Sequence, residues 1–154
     1  MLNIEEKIEK YADMVYRIAI VRTDTIENAE DIFQEVFLKY SQRKEFLDEE
    51  HEKAWLIRVT INLSKNVNKS AWNRKVVELN ENIEFENQEE QDVYSIICEL
   101  PVNFKTVIHL FYYEGYKVKE ISKIMGKTEG TIKTWLYRAR GILKEKLEGG
   151  FDNE

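Results

Sequence analysis

Apolar residues recur at three- and four-residue intervals along most of the chain, beginning with Ile4, Ile8, Tyr11, Ala12, Val15, Ile18 and Ala19. That spacing puts them on one face of a helix and predicts a first helix over about 3–21. Thr25 offers a capping hydroxyl to a second helix with the stripe Ile26, Ala29, Ile32, Phe33, Val36, Phe37 and Tyr40, flanked by Glu27, Glu30, Asp31, Gln34 and Glu35. A polar stretch over 41–52, holding Phe46 and Leu47 among charges, interrupts the pattern. Trp55, Leu56, Val59, Leu63 and Val67 restart it as a third helix, rich in Asn, which runs into the basic tail 69–75 around Trp72.

Acidic and amide residues dominate 78–91 and periodicity is weak there, so the segment reads as a flexible linker. The helical pattern resumes at Val93, Ile96, Ile97 and Leu100, and Pro101 forces a break before a helix bearing Phe104, Val107, Ile108, Phe111 and Tyr112, closed by Gly115. A short helix with Val118, Ile121 and Ile124, a turn at Met125-Gly126-Lys127 and a long helix capped by Thr128 follow. Every predicted element is helical. The expected fold class is all-α: two small helical domains, 1–76 and 92–150, joined by an acidic flexible linker over 77–91, the second containing a helix-turn-helix.

Composition narrows what such a chain can do. Its 154 residues give room for one ordinary domain or two small ones, and 43% apolar content is too high for a chain disordered throughout. Cys98 has no internal partner, and His51 and His109 do not make a ligand set, so neither a metal nor another cofactor is expected. No Gly-rich phosphate loop or plausible triad suggests an enzyme. No apolar run approaches the ~18 residues of a membrane span, and the first residues lack the pattern of a signal peptide, so a cytoplasmic location without membrane insertion is expected.

Charge adds a sharper clue. The formal total is −6, yet the layout is segregated: net −7 over 24–52, +6 over 53–75, −8 over 78–99 and +5 over 100–150. Phosphate backbones respond to the local patch rather than to the sum, so two basic blocks on separate helical units favour a polyanionic partner.

The segment 116–140 carries the most information. A short helix, a tight turn with Gly126 and a longer helix make a helix-turn-helix, whose second helix can enter the major groove. At ~100° per residue, Ile132, Leu136, Ala139 and Leu143 share one face of that helix, while Gly130, Thr134, Tyr137 and Gly141 lie opposite, flanked by Lys133 and Arg138. Gly130 and Thr134 let a backbone come close, the amides at the Thr128 end suit a phosphate, and Lys133 and Arg138 can reach base edges or backbone. The helix dipole would account for Arg140, Lys144 and Lys146, but not for Lys133 near the helix start.

Residues 100–147, with Leu100-Pro101, Glu114-Gly115, Gly130-Thr131-Ile132-Lys133 and Arg138-Ala139-Arg140, resemble the promoter-reading C-terminal domain of extracytoplasmic-function (ECF) sigma factors of bacterial RNA polymerase. The first half agrees: the run from Ala29 to Leu38 resembles the family helix that docks on the polymerase clamp helices, and Trp55-Leu56-Ile57-Arg58-Val59 with Asn62 resembles the helix that meets the downstream promoter element. The resemblance implies a dissociable polymerase subunit. It would bind core RNA polymerase at the clamp helices through Glu30, Asp31, Gln34 and Glu35, and at the flap. It would hold the minus-10 element through Arg58, Asn62, Lys65, Asn66 and Lys69, and the minus-35 element through Lys127, Thr128, Gly130, Lys133, Thr134, Tyr137 and Arg138. It also implies double-stranded promoter DNA, the melted non-template strand and an anti-sigma factor as partners, with a flipped base received in the loop somewhere in 41–52. Phe46 could stack on that base or plug the core, while Trp55 and Trp72 read as packing residues.

Two positions depart from the family pattern. Trp135 stands where a second basic residue often follows Lys133-Thr134, and Ile61 replaces a frequently basic position. The alternatives are an activator that binds DNA through its helix-turn-helix without polymerase, and a sigma-like antagonist that keeps the acidic docking helix and loses DNA contact.

Overall fold

The computed structural model describes residues 3–23, 25–43, 45–70 and 87–152, with 66–70 and 150–152 described by backbone alone. Among them are the α-helices α1 (Ile4–Thr23), α2 (Ile26–Gln42), α3 (Glu49–Ser70), α4 (Gln88–Cys98), α5 (Val102–Ile108), α6 (Val118–Met125) and α7 (Glu129–Asp152), and a π-helical segment, His109–Tyr113, that continues α5. No strand occurs among the described residues. The chain divides into two compact units, Met1–Ile83 and Glu84–Glu154.

In the first unit, α1, α2 and α3 pack pairwise. Of the residues the periodicity selects, Val15, Ile18 and Ala19 of α1, Ala29, Ile32, Val36 and Phe37 of α2 and Leu56 of α3 are buried, while Ile4 and Ile26 are exposed; Ile57 of α3, which it does not select, is buried as well. Each fully buried Leu or Ile contributes about 1.5 to 3 kcal/mol. The Thr25 side chain accepts from the Asn28 amide at 3.2 Å, the cap the sequence predicts. Arg22 is also buried, and its Nε donates to Ser64 Oγ at 2.8 Å, tying the end of α1 to α3. Burial pulls the Arg22 guanidinium down to about 10.

The predicted loop over 41–52 is shorter than expected, because α3 begins at Glu49. Asp48 Oδ1 accepts the His51 amide at 2.7 Å, and acidic side chains in the first turn suit the helix dipole. Periodicity could not reveal this turn, because its inward residue is polar: Glu52, 8% exposed, accepts the Tyr11 and Tyr40 hydroxyls at 2.9 Å each. Burial first, then these bonds to Glu52, push both phenol pKa values up.

The second unit is built on α7, against which α4, α5 and α6 pack. Most of the predicted linker lies outside the described residues. Its end is helical, for Asn87 Oδ1 accepts the Glu90 amide at 2.8 Å and starts α4 at Gln88. Pro101 opens α5, as its missing amide allows. Gly115 and Gly126 take the left-handed conformation, with φ of 76° and 68°, that ends the π segment and α6 respectively. Trp72 and the basic tail beyond Ser70 lie outside the described residues.

Candidate nucleic-acid interface

The α6–turn–α7 pair is held by its own local chemistry. Glu120 Oε1 accepts the Lys117 amide at 2.9 Å at the start of α6, and Thr128 Oγ1 accepts the Thr131 amide at 3.1 Å at the start of α7. Ile121 and Ile124 of α6 meet the buried Ile132, Leu136 and Ala139 of α7 in the core of this unit. The opposite face of α7 is open: Gly130, Lys133, Thr134, Tyr137 and Arg138 are exposed, as are Lys127 and Thr128 before it, and Tyr137 reaches 78% exposure. The face drawn from helix arithmetic is thus the one the fold presents to solvent. Trp135 sits half-buried at its edge.

Lys119 and Lys123 of α6, one turn apart, are also exposed. Their i, i+4 spacing marks a helix ridge in the sequence. The helix-dipole account of the later basic residues does not hold, because α7 continues to Asp152, three turns past Arg140. Arg140 instead lies 5.8 Å from the Phe111 ring centroid and 6.0 Å from that of Tyr112, and Lys146 pairs with Glu99 at 3.5 Å.

On α3, Arg58, Asn62 and Lys65 are exposed. At ~100° per residue these three and Lys69 fall within an arc of ~60°, with Asn66 ~40° beyond it. The side chains of Asn66 and Lys69 lie outside the described ones. Ile61 is 3% exposed, so the departure from a basic position is a core residue here and removes no surface contact. The loop before α3 is pinned rather than loose. Phe46 packs against Trp55 with ring centroids 5.4 Å apart and against Tyr40 at 5.9 Å, under the Arg43 guanidinium at 4.7 Å. Trp55 is therefore a packing residue, as expected, and Phe46 serves the cluster. A cavity of about 260 Å³ opens beside this loop, lined by Phe46, Asp48 and Glu49 and, across from them, Lys7, Lys10 and Tyr11.

On α2, Glu30, Asp31, Gln34 and Glu35 are all exposed, opposite the buried Ala29, Ile32 and Val36. Glu35 pairs with Lys39 at 3.7 Å, which leaves the ridge acidic. Leu38, 55% exposed, lies one turn on from Gln34 and Glu35.

Residues 8–74 match the family described as Sigma-70 region 2, and residues 90–143 the family described as Sigma-70, region 4. Among curated proteins, the chain is 29% identical over 139 residues to the RNA polymerase sigma factor SigV of Bacillus subtilis, covering 86% of this chain and 83% of that one. It is 27% identical over 165 residues to the ECF RNA polymerase sigma factor SigM of the same organism, covering 99% and 100%. Among solved structures, the fold resembles the sigma factor RpoE from Bartonella quintana, crystallised with the anti-sigma factor NepR, with a TM-score of 0.72 at 19% identity over 94% of this chain and 96% of that one. CnrH, in complex with the cytosolic domain of CnrY, gives 0.68 at 17% identity over 95% and 88%.

Proposed function

Because this chain belongs to the ECF branch of the sigma-70 family and acts in directing transcription initiation, we propose that its two units divide the work between polymerase docking with downstream opening and upstream recognition. The observation that carries this reading is the open face of α7, where small, polar and basic residues stand opposite the buried Ile132, Leu136 and Ala139. A helix of that kind, set on a second short helix by a tight turn, suits the major groove of duplex DNA. Lys133 and Arg138 supply charge for phosphates or donors for guanine, Thr134 and Gly130 allow close approach, and Lys127 and the amides at the start of α7 suit a phosphate.

The acidic ridge Glu30, Asp31, Gln34 and Glu35 takes a basic surface of core polymerase. The Arg58, Asn62 and Lys65 face of α3, continued in register by Asn66 and Lys69, takes the minus-10 element, with cations for the backbone and amides for base edges. An extruded base suits the cavity beside Phe46. Glu49 and Glu52 pair with Lys10 and Lys7 across the cavity, which leaves no surplus of positive charge there for a phosphate and suits a base edge. The catalytic step belongs to the polymerase, and this chain supplies placement and strand capture. An anti-sigma factor that covers these faces would hold the protein inactive.

Run-off transcription with bacterial core polymerase on a pooled promoter library tests the reading. Initiation from a subset sharing a two-part element supports it. Duplex binding without polymerase, and no initiation, would favour an activator, and neither activity would favour an antagonist.

A further inference from the structure

His109 and Glu114 are buried in the second unit, their side chains 1% and 5% exposed, and neither belongs to the surfaces assigned above. The imidazole Nε2 lies 2.7 Å from Glu114 Oε2, and Nδ1 faces the Tyr94 hydroxyl at 3.5 Å. Tyr113 stacks on the imidazole at 5.5 Å with an interplanar angle of 14°, and Tyr94 meets Tyr113 edge-on at 5.2 Å. A buried carboxylate without such a partner would be strongly unfavourable, so the pair is a constraint and not an incidental contact.

Its spacing in the chain gives it a particular consequence. Residues five apart on an α-helix point ~140° away from each other, and their side chains cannot meet. Here they meet because 109–113 is π-helical: the Glu114 amide bonds to the His109 carbonyl at 3.1 Å, and the Tyr116 amide reaches the Leu110 carbonyl at 2.9 Å. The wide turn permits the pair, and the pair in turn favours the wide turn over an α turn. Gly115 follows directly in its left-handed conformation, and α6 packs against the π segment. Relaxation to an α turn would rotate whatever follows by ~100° per residue removed from the turn and shift it by ~1.5 Å, which would move α6 and the start of α7.

We propose that His109 and Glu114 are positioning residues for DNA reading: their buried hydrogen bond holds the π turn that sets the helix-turn-helix in its reading register. The imidazole Nε2–H donates to the carboxylate, the Tyr94 hydroxyl donates to Nδ1, and α4 is thereby linked to the turn that feeds α6. Neither side chain touches DNA. The inference rests on the reading of α7 as the upstream reader, and one arm of its test is independent of that reading.

The test uses the full chain as wild type, Glu114→Ala, Glu114→Gln and His109→Leu. Reconstituted with bacterial core polymerase, each binds a duplex carrying the upstream element recovered by run-off selection and the same duplex with that element scrambled. Glu114→Ala and His109→Leu are expected to bind the upstream element about tenfold more weakly, which is about 1.4 kcal/mol. Binding to the scrambled duplex and competition for core polymerase are expected to stay unchanged, and Glu114→Gln, which still accepts from Nε2–H, to restore most of the affinity. In parallel, amide exchange at Glu114 and Tyr116 in the free protein reads the turn itself, with protection lost in Glu114→Ala and kept in Glu114→Gln. Unchanged protection in Glu114→Ala would overturn the proposal whatever the DNA result, as would wild-type affinity in both disruptive variants. Protection lost as expected, in a wild-type chain that ignores the upstream element, would sink the promoter reading and leave the turn assignment standing.

Discussion

The Tyr11 hydroxyl donates to Glu52 at 2.9 Å across 41 residues of chain, and this buried bond fixes where α3 starts against α1. Tyr40 donates to the other carboxylate oxygen at 2.9 Å, so three helices meet on one side chain. Glu52→Ala would strand two buried hydroxyls and is expected to cost about 2 to 4 kcal/mol. Glu52→Gln keeps an acceptor and should cost clearly less. Urea unfolding followed by circular dichroism checks both, and equal losses in the two variants would count against the carboxylate as organiser.

The same cluster sets an alkaline limit. Burial raises the Tyr11 and Tyr40 phenols, so the folded state keeps protons that the unfolded chain releases near pH ~10. Their contribution is complete below that value and is lost as pH rises toward the folded values. Arg22, held at about 10, works the other way, since the folded state gives up its proton before the unfolded one. Two tyrosines oppose one arginine, and the first unit is expected to lose stability above pH ~10. Tyr40→Phe should make that decline shallower in unfolding midpoints measured at about pH 9 and pH 11.

Lys133 and Arg138 are exposed on the open face of α7, so their removal should spare the fold. Arg138→Ala is expected to weaken upstream-element binding by holoenzyme by ~1 to 3 kcal/mol if the guanidinium reads a base. A phosphate contact would instead weaken all sequences alike and reduce the salt slope by ~0.9. Titrations at several salt concentrations separate the two, and unchanged binding would remove the residue from the interface.

Asp31 stands exposed on the acidic ridge of α2. Asp31→Arg reverses its charge without disturbing the buried face, and is expected to reduce affinity for core polymerase. Competition with the wild-type protein for a limiting amount of core measures this, and equal competition would move the docking surface elsewhere.

Thr128 caps α7 through the Thr131 amide. Thr128→Ala is expected to cost about 1 kcal/mol of stability in the second unit and to weaken duplex binding with it. Thr128→Asn should retain most of both, by thermal melting and by duplex titration.

Much of this was open to view in the sequence because helices declare themselves by period. The stripes of α1, α2 and α7, the Thr25 and Thr128 caps and the left-handed Gly115 and Gly126 turns all follow from local rules about one chain segment. The open face of α7 followed from the same arithmetic. The start of α3 escaped because its inward residue is Glu52, and a carboxylate reads as surface until its two hydroxyl donors are known. Ile61 counts as a departure on identity alone, and identity does not say which flank of α3 meets its neighbours. The helix end that would account for Arg140 lies about three turns further on, at Asp152, where period alone does not mark it.

The sequence by itself determined the all-helical class, the division into two units, the helix-turn-helix and the face that unit two turns to solvent, because each depends on residues a few positions apart. Only the tertiary structure decided the Glu52 junction, the packing of Phe46 on Trp55 and the pairing of His109 with Glu114. Those depend on which groups leave water together. A buried polar group is stable only through a partner, which comes here from far along the chain or from a turn whose width no residue pattern announces.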